Sequence, residues 1–330
     1  MIRPTLCITC AIASVLAFGC GVRLPAFAGA DDSAAIRKYA KATGAKINDY
    51  IDGKLRMSMP DSTTDADLVS LANLAPRRLG TLDMTSCDKI TDAGFLTLTN
   101  LPGLEQIEIP SQLSDAAYVN FSDRFPIVNT VRIRAVSRGN PVITNDALRS
   151  VSELYFLAEL TAPTTVAEDD CWKSLVSASG LRLLTIGSPK LTGVGVRGLA
   201  RRGKLEALVV ADSPLSEAGV AEIAELGSVV RLHLTNCGVT DQGVAALTAL
   251  PRLSTFNLAK NPITDNAMAS AKIMPKLSLL DVSGTSVGDA GLMSLAGMTG
   301  LREVHAYRAK VTDQGAGNFA KASPSTRVYK

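Results

Sequence analysis

Aromatic side chains are scarce in this sequence, 5% of 330 residues with a single tryptophan, so whatever core it builds must be aliphatic. Charge of one sign is missing too. The 34 Lys and Arg against 31 Asp and Glu leave a net +3, which argues against nucleic-acid binding through bulk charge and implies no strongly acidic or basic partner. No apolar run reaches the ~20 residues of a membrane span. Histidine occurs only twice, as His233 and His305. What is present in quantity is aliphatic: hydrophobic residues are 46% and charged residues 20%, which leaves no compositional case for disorder.

The first 28 residues are expected to be an export signal. Arg3 gives a short basic start, an apolar stretch runs from Thr5 to Gly19, and Ala26-Phe27-Ala28 is a small-x-small cleavage site. Removing 1–28 takes away Arg3 and Arg23 and no acid, leaving a chain close to neutral. Ala17-Phe18-Gly19-Cys20 partly resembles a lipoprotein box, so a lipid anchor on Cys20 is the alternative; Phe18 is bulky where such boxes are small. Cys7, Cys10 and Cys20 all fall in this segment, leaving Cys87, Cys171 and Cys237, an odd number that argues against a disulfide framework. The Cys7-Ile8-Thr9-Cys10 spacing has no folded site around it and is not read as a redox motif.

The rest of the chain repeats. Leu181, Leu205, Val229, Leu253, Leu277 and Leu301 are each 24 residues apart. Three residues after each start come Leu184, Leu208, Leu232, Phe256, Leu280 and Val304, and two further on Ile186, Val210, Leu234, Leu258, Val282 and Ala306. This alternation predicts a short strand with one buried face. Val196, Val220, Val244, Met268, Leu292 and Ala316 then open a pattern continued three residues later by Leu199, Ile223, Leu247, Ala271, Leu295 and Phe319, the spacing of a buried helical stripe. Thr240-Asp241, Thr264-Asp265 and Thr312-Asp313 supply an N-cap and a negative charge at the helix start. Upstream units start at Leu79, Leu104, Val128 and Leu157, and 53–78 reads as a degenerate first unit.

The pattern resembles the leucine-rich repeat family, whose L-x-x-L-x-L-x-x-N/C-x-L consensus is met most fully by Val229 to Val239 and Leu253 to Ile263, with Cys237 and Asn261 on the Asn/Cys position. The Thr-Asp-x-Gly-Val and Asp-Ala-Gly-Leu stretches at 240–244 and 289–292 resemble the bacterial and cysteine-containing subtypes. The resemblance implies an α/β fold: a right-handed solenoid, or horseshoe, with a concave parallel sheet and a helical convex face. Pro189, Thr285 and Ala309 depart from Asn or Cys, which is expected to weaken the turn hydrogen bonds there. The domain expectation is a signal at 1–28, a capping helix at 29–52 carrying Ile36, Tyr39, Ile47 and Tyr50, and a solenoid at 53–330. That solenoid has about eleven repeats and a terminal strand around Val328.

Motifs that would suggest catalysis sit in the wrong context. Gly284-Thr285-Ser286-Val287-Gly288 matches G-x-S-x-G, but it falls in a repeat loop and both histidines fall on strands. Gly193-Val194-Gly195-Val196-Arg197-Gly198 reads G-x-G-x-x-G, yet several loop residues separate it from its strand. Gly195 recurs as Gly219, Gly243, Gly291 and Gly315, a repeat residue kept small by close packing. Cys87 and Cys237 share the Asn/Cys position and are expected as buried thiols, and Trp172 beside Cys171 as core.

The informative residues are those alternating outward on the strands. The middle outward column is expected to run Asp83, Glu108, Arg132, Thr161, Thr185, Val209, His233, Asn257, Asp281, His305. Asp281 and His305 should then be neighbours, with Asn257 a weak third metal ligand at best; no metal, cofactor or catalytic residue is assigned. Leucine-rich repeats as a family imply protein interaction, so a secreted or periplasmic binding scaffold is expected, with the protein partner held by Leu183, Val209, His233, Asp281, Arg302, His305 and Tyr307. Leu279 extends a mildly apolar floor. Two alternatives are an enzyme with its site on the concave face and an F-box-like substrate receptor of a ubiquitin ligase. Nothing before residue 53 resembles an F-box, and an export signal contradicts that role.

Overall fold

The computed structural model describes residues 32–50, 52–135 and 143–330. The expected signal at 1–28, with its cleavage site and Cys20, lies outside them.

Among the described residues, thirteen strands form one sheet in strict sequence order. They are β1 (Lys46–Asp49), β2 (Leu55–Ser58), β3 (Leu79–Asp83), β4 (Gln106–Ile109), β5 (Thr130–Ile133), β6 (Glu159–Ala162) and β7 (Leu183–Ile186). The series continues with β8 (Ala207–Ala211), β9 (Arg231–Thr235), β10 (Thr255–Asn257), β11 (Leu279–Asp281), β12 (Glu303–His305) and β13 (Arg327–Tyr329). From β2 onward each strand pairs in parallel with the next, and a helical segment on the other side carries most connections. The exception is β1, antiparallel to β2. The sheet is open, and the core lies between it and the helices.

The N-terminal cap is shorter than the sequence suggested. Helix Ser33–Thr43 buries Ile36 and Ala40 one turn apart and stops where Gly44 takes φ +79°, a left-handed conformation that glycine adopts at little cost. Beyond it the chain runs as β1, so Ile47 lies on a strand rather than the expected helix, and Tyr50 follows β1, 42% exposed. The cap therefore covers the first repeat with a helix and extends the sheet with a strand.

The 24-residue period sets the register because identical positions stack. Leu184 pairs with Leu208, Leu208 with Leu232, Leu232 with Phe256, Phe256 with Leu280, Leu280 with Val304 and Val304 with Val328. All but Val328 are at most 1% exposed. Stacking also fills the turn after each strand with a buried polar or sulfur-bearing residue. Thr63, Cys87, Thr165, Ser213, Cys237, Asn261 and Thr285 occupy it, each at most 7% exposed. Thr285 replaces asparagine only in part, as expected: its hydroxyl donates to Val282 O at 2.6 Å and accepts from Val287 N at 3.4 Å, both within its own turn, whereas Asn261 also bonds Cys237 N, Val239 N and Leu234 O of the preceding repeat. Beside Pro189, Ser188 takes the same part, donating to Ala167 O and accepting from Lys190 N.

A second ladder runs along the helix starts and explains the Thr-Asp-x-Gly motif. The Asp65 carboxylate accepts from Thr91 N at 2.9 Å and Thr91 Oγ1 at 2.7 Å in the next repeat. Asp92 does the same for Ser114, Asp115 for Thr144, Asp169 for Thr192, Asp241 for Thr264 and Asp289 for Thr312. Each Asp thus holds the N-cap of the following repeat, except Asp169, whose partner Thr192 lies three residues before the N-cap Gly195, while each Asp's own negative charge sits at or beside a helix start. Glycine follows because the helix start and the preceding repeat are in contact: a Cβ on Gly315 would stand 1.9 Å from Asp289 Oδ1, and one on Gly94 1.9 Å from Asp65 Oδ1. At Gly219 the obstacle is backbone, Thr192 O at 2.0 Å. Gly219→Ala is therefore expected to lower stability by about 1–3 kcal/mol, read as a shift in the urea unfolding midpoint with m unchanged. An unshifted midpoint would mean the repeats can slide apart to admit a methyl group.

Between Leu79 and Val128 the convex side departs from the aliphatic pattern. Phe95, Tyr118, Phe121 and Phe125 are buried together around Arg124, whose guanidinium lies 5.1 Å from the Phe95 and Phe125 ring centres. Arg124 donates to the carbonyls of Phe95 and Ala117, and burial pushes its pKa down to about 10. Carbonyl oxygens and ring faces hold this cation in the core.

Candidate binding face

The strand registers place Asp83, Glu108, Arg132, Thr161, Thr185, Val209, His233, Asn257, Asp281 and His305 in one continuous outward column. Its two ends differ in chemistry.

At the N-terminal end the charges neutralise one another. Arg56 reaches Asp83 at 2.9 Å and Glu108 at 3.2 Å, Glu108 is 3.2 Å from Arg132, and Arg132 is 2.9 Å from Glu159. Glu108 is only 9% exposed. Burial alone would raise the pKa of Asp83, but hydrogen bonds from Thr85 and Arg56 outweigh it and hold the carboxyl below its ordinary value. A carboxyl depressed in the folded state contributes stability above its unfolded pKa of ~3.9 and loses it as pH falls through the folded value. Asp83→Asn should therefore flatten the acid limb of the stability curve below about pH 4, measured by urea unfolding across pH. An unchanged acid limb would mean that the bonds to Thr85 and Arg56 do not persist in solution.

The C-terminal end keeps its polar groups less committed. Val209 pairs with His233, and burial lowers the pKa of His233 against the opposing pull of Asp281, so this imidazole resists protonation. Asp281 and His305 are register partners, but they do not share a proton in this structure. Asp281 accepts from Asn257 Nδ2 at 3.2 Å and Ser283 N at 2.8 Å, while His305 Nε2 lies 3.5 Å from Glu303 on its own strand. The His305 ring stands edge-on to Tyr307 and Tyr329, with centroids 6.0 and 5.0 Å away. Tyr307 is 48% exposed; it and Arg302 flank β12 rather than belonging to it. Among the described residues no group of three His, Cys, Asp or Glu could hold a metal.

The structure thus brings Asp281, His305 and Tyr307 together, leaves Arg302 before the other end of β12, and places Leu183 and Val209 on β7 and β8, with His233 beside Val209. The expected apolar floor is interrupted: Leu279 pairs with Thr255, and Thr255 with Arg231, so polar side chains separate it from Leu183 and Val209. Reading single columns missed Arg56 and Glu159, which lie one outward position over and complete the ion-pair chain, and Tyr329, which the register with His305 exposes as the cluster's third ring.

Neither catalytic motif acquires a site. Ser286 is exposed in a turn, and its N–H donates to Ile263 O. The N–H groups of Gly195 and Arg197, the donors a phosphate would need, already donate to Glu222 Oε2, at 2.7 and 3.3 Å. Cys87, Cys171 and Cys237 are buried free thiols; burial pushes them up to about 11, 12 and 12. Alkylation followed by mass spectrometry at pH 8 should leave all three unmodified until the chain unfolds. Labelling of any of them in the native protein would mean that its repeat opens.

A family model described as "Leucine Rich repeat" matches residues 228–247 and 274–296. These windows fall on β9 with its helix and on β11 with its helix. The fold is a leucine-rich repeat solenoid. The leucine-rich repeat architecture is also that of an internalin, InlF of Listeria monocytogenes, whose crystal structure superposes with a TM-score of 0.56 over 79% of this chain and 69% of that one, at 18% identity. That likeness is one of fold. No curated protein matches the sequence. Among the described residues no helix of the leucine-rich repeat array is long and apolar enough to cross a membrane.

Proposed function

We propose that the chain is an extracytoplasmic scaffold that binds a protein partner through the C-terminal half of its concave face. One observation carries this reading: the N-terminal half of the face is closed by its own ion pairs, whereas the C-terminal half presents Tyr307, Arg302, Asp281 and His305 with no ion pair tying the exposed Arg302 to a carboxylate among the described residues. Tyr and Arg are the side chains most often found at interface hot spots. His233 and, further along, Leu183 and Val209 supply a second contact. No catalytic role and no cofactor is proposed.

The proposed organisation is an export signal at 1–28, a cap at 29–52 and a solenoid at 53–330, with secretion or periplasmic location ahead of a lipid anchor on Cys20. N-terminal sequencing of the mature protein should begin at Gly29. A lipid-modified Cys20 would put the scaffold on a membrane surface, and an intact Met1 on a cytosolic protein would remove the export half of the reading.

For the binding half, Tyr307→Ala and Val209→Glu should each weaken capture of a partner from the extracytoplasmic fraction by at least tenfold, about 1.4 kcal/mol, without lowering the melting temperature. A suitable control on the helical face is Gln242→Ala, since Gln242 is exposed. Glu222 would be a poor one because its carboxylate caps the neighbouring repeat. Loss of capture with Gln242→Ala but not with the concave changes would move the interface to the other face.

A further inference from the structure

The sequence is nearly neutral overall, yet its charge is divided. Residues 32–180 hold 15 Lys and Arg against 19 Asp and Glu, whereas 181–330 hold 17 against 11. Folding concentrates the excess further. The segments that lead into β7–β13 are 176–183, 200–207, 224–231, 248–255, 272–279, 296–303 and 322–327. Together they contain ten Lys or Arg and three acids. Of those acids, Glu206 is engaged by Arg182 at 2.7 Å and Glu303 faces His305 at 3.5 Å.

These segments lie along one rim. A ladder of backbone hydrogen bonds runs from Glu206 N to Arg182 O, Val230 N to Glu206 O, Ser254 N to Val230 O, Ser278 N to Ser254 O, Arg302 N to Ser278 O and Arg327 N to Arg302 O. At ~4.8 Å per strand, the six steps span roughly 30 Å. Arg182, Lys204 and Arg252 also line one shallow recess of about 200 Å³ with Gly203, Glu206 and Ser228.

Lys204, Arg231, Arg252, Lys276, Arg302 and Arg327 are all exposed, and no ion pair joins any of them to a carboxylate among the described residues. The contrast with the concave N-terminal half is sharp, because there Lys54, Arg56 and Arg132 are all paired. Helix C-termini account for Lys272, the C-cap of helix Asp265–Ala271. Arg252 and Lys276 stand five residues beyond their helix ends at Leu247 and Ala271, where the dipole has faded. A row of like charges repels itself, and a counter-anion relieves that repulsion.

We propose that this rim binds a linear anionic polysaccharide carrying sulfate or carboxylate groups. The partner's chemistry follows from what the rim lacks. The seven segments contain no aromatic residue, so there is no platform on which nucleic-acid bases could stack. A protein interface needs an apolar centre, and the only large apolar side chain strongly exposed in these segments is Ile273, which stands alone. What remains is evenly spaced charge over a length that suits an extended polyanion. The rim shares Arg302 with the proposed concave contact; the variants below leave Arg302 unchanged, so the two readings fail separately.

The test uses the full exported chain and a heparin oligosaccharide about 30 Å long as the probe, followed by calorimetry at two salt concentrations. The expected result is saturable binding that weakens with salt. Lys204→Glu, Arg252→Glu and Lys276→Glu together should weaken it at least tenfold. A control with the same charge change, Lys38→Glu, Lys41→Glu and Lys46→Glu, reverses three exposed lysines at the other end of the solenoid and should change it less than twofold. Circular dichroism melts establish that both triples fold; should the rim triple fail to, neutral Lys204→Gln with Lys276→Gln replaces it, with at least a threefold loss expected. No binding to heparin, or equal loss in the rim and control variants, overturns the proposal. Tighter binding of a poly-glutamate peptide or of duplex DNA than of heparin overturns the assignment of the partner as a polysaccharide.

Discussion

Asn261→Ala is expected to lower the stability of the chain by about 2–4 kcal/mol. The side chain is 3% exposed and closes two turns at once. Its Oδ1 accepts from Cys237 N and Val239 N in the preceding repeat, both at 3.0 Å, and its Nδ2 donates to Leu234 O at 2.5 Å, Leu258 O at 2.9 Å and Ala259 O at 3.3 Å. Alanine would strand two buried N–H groups, each costing ~1–3 kcal/mol if nothing replaces the partner. Asn261→Asp should be no better, since it keeps the acceptor, loses the donors and buries a charge. Urea unfolding monitored by circular dichroism measures the loss. A deficit below ~1 kcal/mol would mean that water enters the turn and takes over the bonds.

Leu232→Ala is the second large effect, at about 2–5 kcal/mol. Leu232 is fully buried between Leu208 and Phe256 in the stacked column, and a solenoid has no distant contacts to compensate for a cavity there. Because each repeat touches only its neighbours, the damage should also show as a loss of cooperativity: hydrogen exchange near β9 should rise more than near β3. Leu208→Ala and Leu280→Ala should cost similar amounts, since both are 0% exposed in the same column. Tolerance of all three would mean that the strand register is wrong.

How much of this was legible in the sequence can be judged position by position. The 24-residue period assigns every strand from Leu181 onward, because stacking identical positions is the one arrangement that buries L-x-x-L-x-L in each unit. It also names the outward column from Asp83 to His305 in order. The period is silent wherever the repeat ends. At the N-terminus, residues around Ile47 read as amphipathic helix, yet Gly44 breaks the helix and the free edge of β2 recruits β1. Substitutions in the turn are only partly legible: the sequence shows that Thr285 is not asparagine and that the turn is weaker for it, but only the turn geometry shows which bonds remain, to Val282 O and from Val287 N.

The sequence by itself determined the solenoid, its register, its buried column and the position of each outward side chain, because all of these follow from periodicity and local stacking. Only the tertiary structure decided which outward groups are engaged. Arg56 and Glu108 are 52 residues apart in the chain but lie two strands apart at 3.2 Å, while the register neighbours Asp281 and His305 turn to Asn257 and Glu303 instead. Long side chains choose among several partners within reach, and that choice depends on rotamers and on the curvature that brings neighbouring repeats together. Period alone does not encode it.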